Sequence, residues 1–164
     1  MKKILLVRHS NTEVSLSSFG DFDRPLSTIG IDNAKEIAGI VAQKITADKI
    51  VTSSAIRAFS TARYFADAMN IPLEAIIGDL GLYEKGIKYY SSVVSSQPAD
   101  ISVLLLVGHN PVITHLVAKY TGDEDFGSMS ACGVVCIEFE TDNWEEIDVL
   151  KGKIAFFEKP FFGF

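Results

Sequence analysis

No apolar run in this chain is long enough to cross a bilayer: the longest, such as Val103–Val107, falls far short of the roughly 20 residues a spanning helix needs. A secretory leader is not expected either, because the apolar stretch Ile4–Val7 runs straight into Arg8 and His9. The expectation is a cytoplasmic protein with no membrane contact. No run of Lys or Arg is present, and 15 basic against 21 acidic side chains leave a formal charge of −6, so nucleic acid is not an expected partner. Cysteine is scarce. Cys132 and Cys136 sit in one extended-looking segment, where four residues of rise hold their Cα atoms about 13 Å apart, beyond disulfide reach. They are expected to be reduced core residues. With only three histidines, none near those cysteines in sequence, a zinc site is not expected. Repeats and low-complexity linkers are missing as well, so residues 1–164 are expected to form one domain.

What is present is a globular composition, 48% hydrophobic and 22% charged. Short continuous apolar runs at Ile4–Val7, Lys49–Thr52 and Ser102–Val107 have the character of strands buried on both faces. Between them lie helical spacings. Ala34, Ile37, Ala38, Val41 and Ile45 follow a cap at Ser27 or Thr28, and Phe59, Ala62, Ala66 and Met69 follow Ser53–Ser54. Further along, Leu73–Ile77 reads as a strand and Ile87–Val94 as a helix. Ile113, Leu116, Val117 and Tyr120 form the stripe of another helix, with Asn110 as its cap and Pro111 in its first position. That stripe leaves His115 facing solvent. Gly133–Glu140 and Lys153–Glu158 read as two antiparallel strands at one edge. The pattern predicts an α/β fold with a largely parallel sheet covered on both faces. The aromatic tail Phe161, Phe162, Phe164 is expected to tuck against the domain.

His9 and His109 each follow directly on a buried strand, and Arg57 falls in the first turn of the helix after another. In an open α/β sheet the carboxyl ends of the strands line the ligand crevice, so these residues should converge there. Helix N-termini after Ser54 and Asn110 should add free N–H groups, and the ligand is then an anion. Two arginines, Arg8 and Arg57, with two histidines suit phosphoryl transfer, because a guanidinium can hold two oxygens at once. Ser10, Thr12, Ser53 and Ser54 are candidate nucleophiles by type. An imidazole beside arginines is kept neutral and nucleophilic, however, so His9 fits best. Glu84, just beyond the Leu73–Ile77 segment, could carry a proton to the leaving group. Ser10, Asn11, Thr12 and Arg24 are candidate substrate contacts, Arg24 being equally suited to pair with Asp21 or Asp23. No carboxylate cluster suited to Mg²⁺ or Zn²⁺ surrounds these positions, so neither a metal nor another cofactor is expected.

Leu5-Leu6-Val7-Arg8-His9-Ser10 resembles the Arg-His-Gly signature of the histidine phosphatase superfamily, which also contains the cofactor-dependent phosphoglycerate mutases. Asp23-Arg24-Pro25-Leu26-Ser27 with Gly30 is similar to the segment before the first helix of its small SixA-type phosphohistidine phosphatases. Thr52-Ser53-Ser54-Ala55-Ile56-Arg57-Ala58 and Val107-Gly108-His109-Asn110-Pro111 resemble the second and third blocks. The resemblance implies a three-layer α/β/α sandwich and a phosphohistidine intermediate on His9. It further implies phosphate contacts from Arg8, Arg57 and His109, and a proton donor at a position that Glu84 matches. Ser10 stands where the family has glycine. Few residues separate Arg57 from Glu84, so the pocket should be open and should favour a protruding phosphorylated side chain over an enclosed sugar phosphate. The expected partner is a phosphorylated protein, such as a phosphohistidine phosphotransfer domain, or a small phosphorylated metabolite. A phosphate-recognising module without turnover and a mutase are the rival readings.

Overall fold

The computed structural model describes residues 1–14 and 20–161. Four apolar segments form a parallel core of strands: β1 (Lys2–Arg8), β2 (Lys49–Ser53), β3 (Ile76–Asp79) and β4 (Val103–Gly108). Two more complete the edge: β5 (Val134–Phe139) runs antiparallel beside β1, and β6 (Lys153–Glu158) runs antiparallel beside β5. The spatial order is β3-β2-β4-β1-β5-β6, so β1 and β4 are central. Successive side chains of a strand point to opposite faces, and both faces are apolar here. Leu5, Val7, Ile50, Leu105 and Val107 pack on one side against the helices α1 (Thr28–Ala42) and α2 (Ile56–Ala68). Ile4, Leu6, Val51, Leu104 and Leu106 pack on the other against α3 (Gly81–Glu84), α4 (Ile87–Ser95) and α5 (Val112–Thr121). The result is the expected three-layer α/β/α sandwich with an antiparallel C-terminal edge. Among the described residues no helix is long and apolar enough to cross a membrane.

Ser27 caps α1 by accepting from the Gly30 N–H at 3.0 Å. Several boundaries differ from the sequence reading. Leu73–Ala75 is a 3₁₀ turn after Pro72, and extended pairing begins only at Ile76, where the chain meets β2. Ile45 and Met69 continue the apolar stripes of α1 and α2 but lie past their ends, reached by the chain as it turns back onto the core. Pro111 precedes the first turn of α5 rather than opening it, and Asn110 still serves that turn by accepting from Thr114 N–H at 3.3 Å. His115 is exposed. Cys132 and Cys136 are free and buried. Phe161 is exposed rather than tucked, while Phe162 and Phe164 lie outside the described residues.

The loop after β1 lies directly on α1. Ser27 N–H donates to the Asn11 carbonyl at 3.0 Å, and a Cβ placed on Gly30 would come within 2.0 Å of that same oxygen. No side chain fits there without moving the loop that follows His9. Gly30→Ala should therefore destabilise the protein by about 1–3 kcal/mol, the range for overpacking a close contact. Chemical denaturation checks this, and an unchanged midpoint would show that the loop yields freely.

Candidate active site

The register of β1 on β4 pairs Arg8 with Gly108, so the next residue on each strand is a histidine at the same edge of the sheet. His9 N–H donates to the Gly108 carbonyl at 3.1 Å, and the two imidazoles stand 5.1 Å apart. From β2, the next strand over, Ser53 places its buried hydroxyl 2.7 Å from His109 Nε2. Arg57 follows in the first turn of α2 and is buried, with Nε donating towards His9 Nε2 at 3.4 Å. Thr61, one turn on, donates to the Arg57 carbonyl and accepts from Ser10 N–H, tying the arginine's helix to the loop after His9.

These contacts fix the state of His9. Its Nδ1 lies 2.8 Å from the Ser10 carbonyl, which can only accept, so Nδ1 carries the proton. Nε2, which faces a guanidinium donor, therefore keeps its lone pair. Burial is the main cause that pushes His9 down to about 3, aided by the nearby His109, Arg57 and Arg8 and opposed by the Ser10 carbonyl. His109 is pushed down to about 4, again chiefly by burial and then by Arg57. Both rings are neutral at physiological pH. Arg8 donates from Nη1 to the Met129 carbonyl at 2.8 Å, and that carbonyl also accepts from Asn110 Nδ2 at 3.0 Å.

The cavity is about 530 Å³, lined by Arg8, His9, Thr12, Asp21, Arg24, Arg57, Tyr83, His109 and Asn110. His9, Arg8, Arg57 and His109 are thus brought together with Thr12 and Arg24, whose Nη1 donates to the Thr12 hydroxyl at 2.6 Å. Ser10 and Asn11 are not in the lining. The Ser10 hydroxyl is fully buried and donates to the Gly30 carbonyl at 2.7 Å, and Asn11 Oδ1 accepts from Asn33. Glu84 is exposed and also outside the lining, where its neighbour Tyr83 stands instead. The helix N-termini contribute less than their sequence positions suggest, since Ile56 N–H is taken by the Phe22 carbonyl and Thr114 N–H by Asn110. Asp21, Tyr83 and Asn110 are the lining residues that sequence reasoning did not assign to the site, Asn110 having been read only as a helix cap. Asp21 was visible only as a salt-bridge partner for Arg24, and nothing in a lone tyrosine beside Glu84 marked it out.

The arrangement offers a neutral, tautomerically fixed imidazole nitrogen beside guanidinium groups, which is what an in-line attack on a phosphoryl group requires. The family model of the histidine phosphatase superfamily (branch 1) matches residues 4–84. Phosphohistidine phosphatase SixA of Escherichia coli (strain K12) is 23% identical over 156 residues, covering 87% of this chain and 92% of that protein. Among solved structures, a SixA-type protein from Agrobacterium tumefaciens superposes with a TM-score of 0.83 at 22% identity, covering 97% of this chain and 99% of its own. A protein histidine phosphatase SixA complexed with tungstate gives 0.71 at 20% identity, with 96% of each chain covered.

The depressed histidines carry a pH signature. Unfolded, each accepts a proton near its ordinary 6.5; folded, they resist until about 4 and about 3. Between those limits the unfolded chain binds more protons, so stability falls as pH drops from 6.5, by up to about 1.4 kcal/mol per pH unit for each ring. A His9→Asn/His109→Asn double variant should lose less stability than the wild type between pH 7 and pH 5 in denaturant titrations. Equal losses would remove the two rings as the cause.

Proposed function

We propose that this chain is a metal-independent phosphatase of the histidine phosphatase superfamily that hydrolyses protein phosphohistidine through a phosphorylated His9, a reading that the family model over residues 4–84 and the similarity to SixA support. The observation that carries the reading is the free Nε2 lone pair of His9, set by the Ser10 carbonyl at Nδ1 and facing Arg57.

In the first step, with the substrate ring protonated on its unphosphorylated nitrogen, Nε2 attacks phosphorus and the bond from phosphorus to the substrate's other nitrogen breaks, its electron pair leaving with a neutral substrate imidazole. His9 becomes a phosphorylated imidazolium whose Nδ1–H is held by the Ser10 carbonyl. Arg8 and Arg57 flank the transferring oxygens, and His109, held through Nε2 by Ser53, lines the same cavity beside them. In the second step water attacks phosphorus, Nε2 recovers its electron pair, and the water's proton passes to the departing phosphate. The positive charge needed at the transition state comes from the arginines.

The substrate class follows from the proton supply. Glu84 stands outside the cavity, and the carboxylate within it, Asp21, is held below the usual range, first by the Tyr83 hydrogen bond and then by Arg57 and Arg24. It is therefore ionised and cannot serve as a ready acid. An alkoxide leaving group would need one, whereas the ring of a phosphohistidine protonated at its other nitrogen departs as a neutral imidazole, whose own conjugate acid has a pKa near 6.5, without such help. The similarity to phosphohistidine phosphatase SixA supports the same class.

Incubation with phosphoramidate, followed by a quench without acid and mass spectrometry, should locate an acid-labile phosphate on His9 with free phosphate accumulating. His9→Ala should abolish turnover. Arg57→Ala should lower kcat/KM by about 10²- to 10³-fold, as loss of a charge-stabilising donor does. Chelators should leave the rate unchanged, and inhibition reversed by added metal would overturn the metal-free chemistry. Stoichiometric binding of a phosphorylated protein without phosphate release would instead identify a recognition module.

A further inference from the structure

Asp21 binds the arginines of its own active site. Arg57 donates from Nη1 to the Asp21 main-chain carbonyl at 2.6 Å and from Nη2 to its carboxylate at 3.1 Å. With Nε turned to His9, every nitrogen of that guanidinium is engaged, two of them by one residue. The other carboxylate oxygen accepts from Arg24 Nη2 at 3.2 Å, and the Tyr83 hydroxyl donates to the first at 2.8 Å. Tyr83 is itself braced, with its ring edge-on to Phe22 and to His109. The contact is lopsided in exposure. The Arg57 side chain is 7% exposed, whereas that of Asp21 is 58% exposed and can move into solvent.

The proposed reaction, on which this inference rests, needs Arg57 to hold oxygens of a phosphoryl group beside His9. A phosphoryl dianion and the Asp21 carboxylate would then claim the same donors, and two anions sharing them repel each other. We propose that Asp21 is a built-in competitor for the oxyanion seat, occupying Arg57 and Arg24 in the resting protein and being displaced from them when a phosphorylated substrate binds. Substrate affinity is thereby held down, and product phosphate meets a rival for the arginines as it leaves. The opposite role for such a carboxylate is to position Arg57, and the two predict changes of opposite sign. Removing a competitor tightens anion binding; removing a support loosens it.

Sulfate tests this, being a tetrahedral dianion that His9 cannot cleave. Calorimetric titration at pH 7.5 and constant ionic strength would compare wild type with Asp21→Asn, which keeps an acceptor for Arg57 and Tyr83 but loses the charge. Asp23→Asn, an equal charge loss two residues along the same exposed loop, controls for the general field. Sulfate should bind Asp21→Asn roughly three- to tenfold more tightly, commensurate with a partly exposed ion-pair network, with Asp23→Asn close to wild type. Asp21→Ala should shift the same way. Unchanged or weaker binding in the Asp21 variants, an equal gain in Asp23→Asn, or no detectable sulfate binding by any of them would overturn the proposal. Because sulfate binding involves no bond to His9, failure to trap a phosphoenzyme would count against the reaction and leave this result standing.

Discussion

The whole candidate site depends on the pairing of β1 with β4. Six consecutive pairs of residues hold the two strands parallel and in register, from Lys3 with Val103 to Arg8 with Gly108. A slip of one residue would turn Leu5 and Val7 to the wrong face of the sheet, which the two separate cores do not permit. The same hydrophobic alternation that stabilises the sandwich therefore sets the two histidines side by side. Packing supplies the precision, and the polar site is built at its end.

Within the site, desolvation outweighs charge in setting the protonation of the histidines, since burial is the largest cause of lowering for both rings. The arginines add to that effect. They also favour a different anion, so the features that strip the proton from His9 are those that attract its reaction partner. Local hydrogen bonds then choose between the two ring nitrogens. A main-chain carbonyl at Nδ1 accomplishes this without any carboxylate, so the ring stays nucleophilic while its outward nitrogen is directed at the cavity.

The layers and the antiparallel C-terminal edge were legible in the sequence because buried strands and amphipathic helices leave periodic marks. The convergence of His9, His109 and Arg57 was legible for a related reason: they follow strand ends, and topology alone brings strand ends together. Where the sequence misled, the cause was side-chain direction or local turning. Ser10 adjoins His9 in sequence, yet its hydroxyl points into the protein towards Gly30. Glu84 and Tyr83 are adjacent in a single turn of α3, and only the path of that turn decides which reaches the cavity. Asp21 belongs to a loop with no periodic signal, and its role emerges only from its distances to Arg57, Arg24 and Tyr83.

Arg8 is oriented by the carbonyl of Met129, whose own N–H donates to the Thr114 hydroxyl. That hydroxyl also donates to Asn110, which returns a hydrogen bond to the same carbonyl. A peptide group has no identity in the amino-acid alphabet. Related chains can exchange the residue at this position and keep the arginine's anchor, provided the backbone follows the same course. Sequence divergence in the segment before β5 is therefore a poor gauge of functional divergence, and low overall identity is compatible with an unaltered electrostatic cradle.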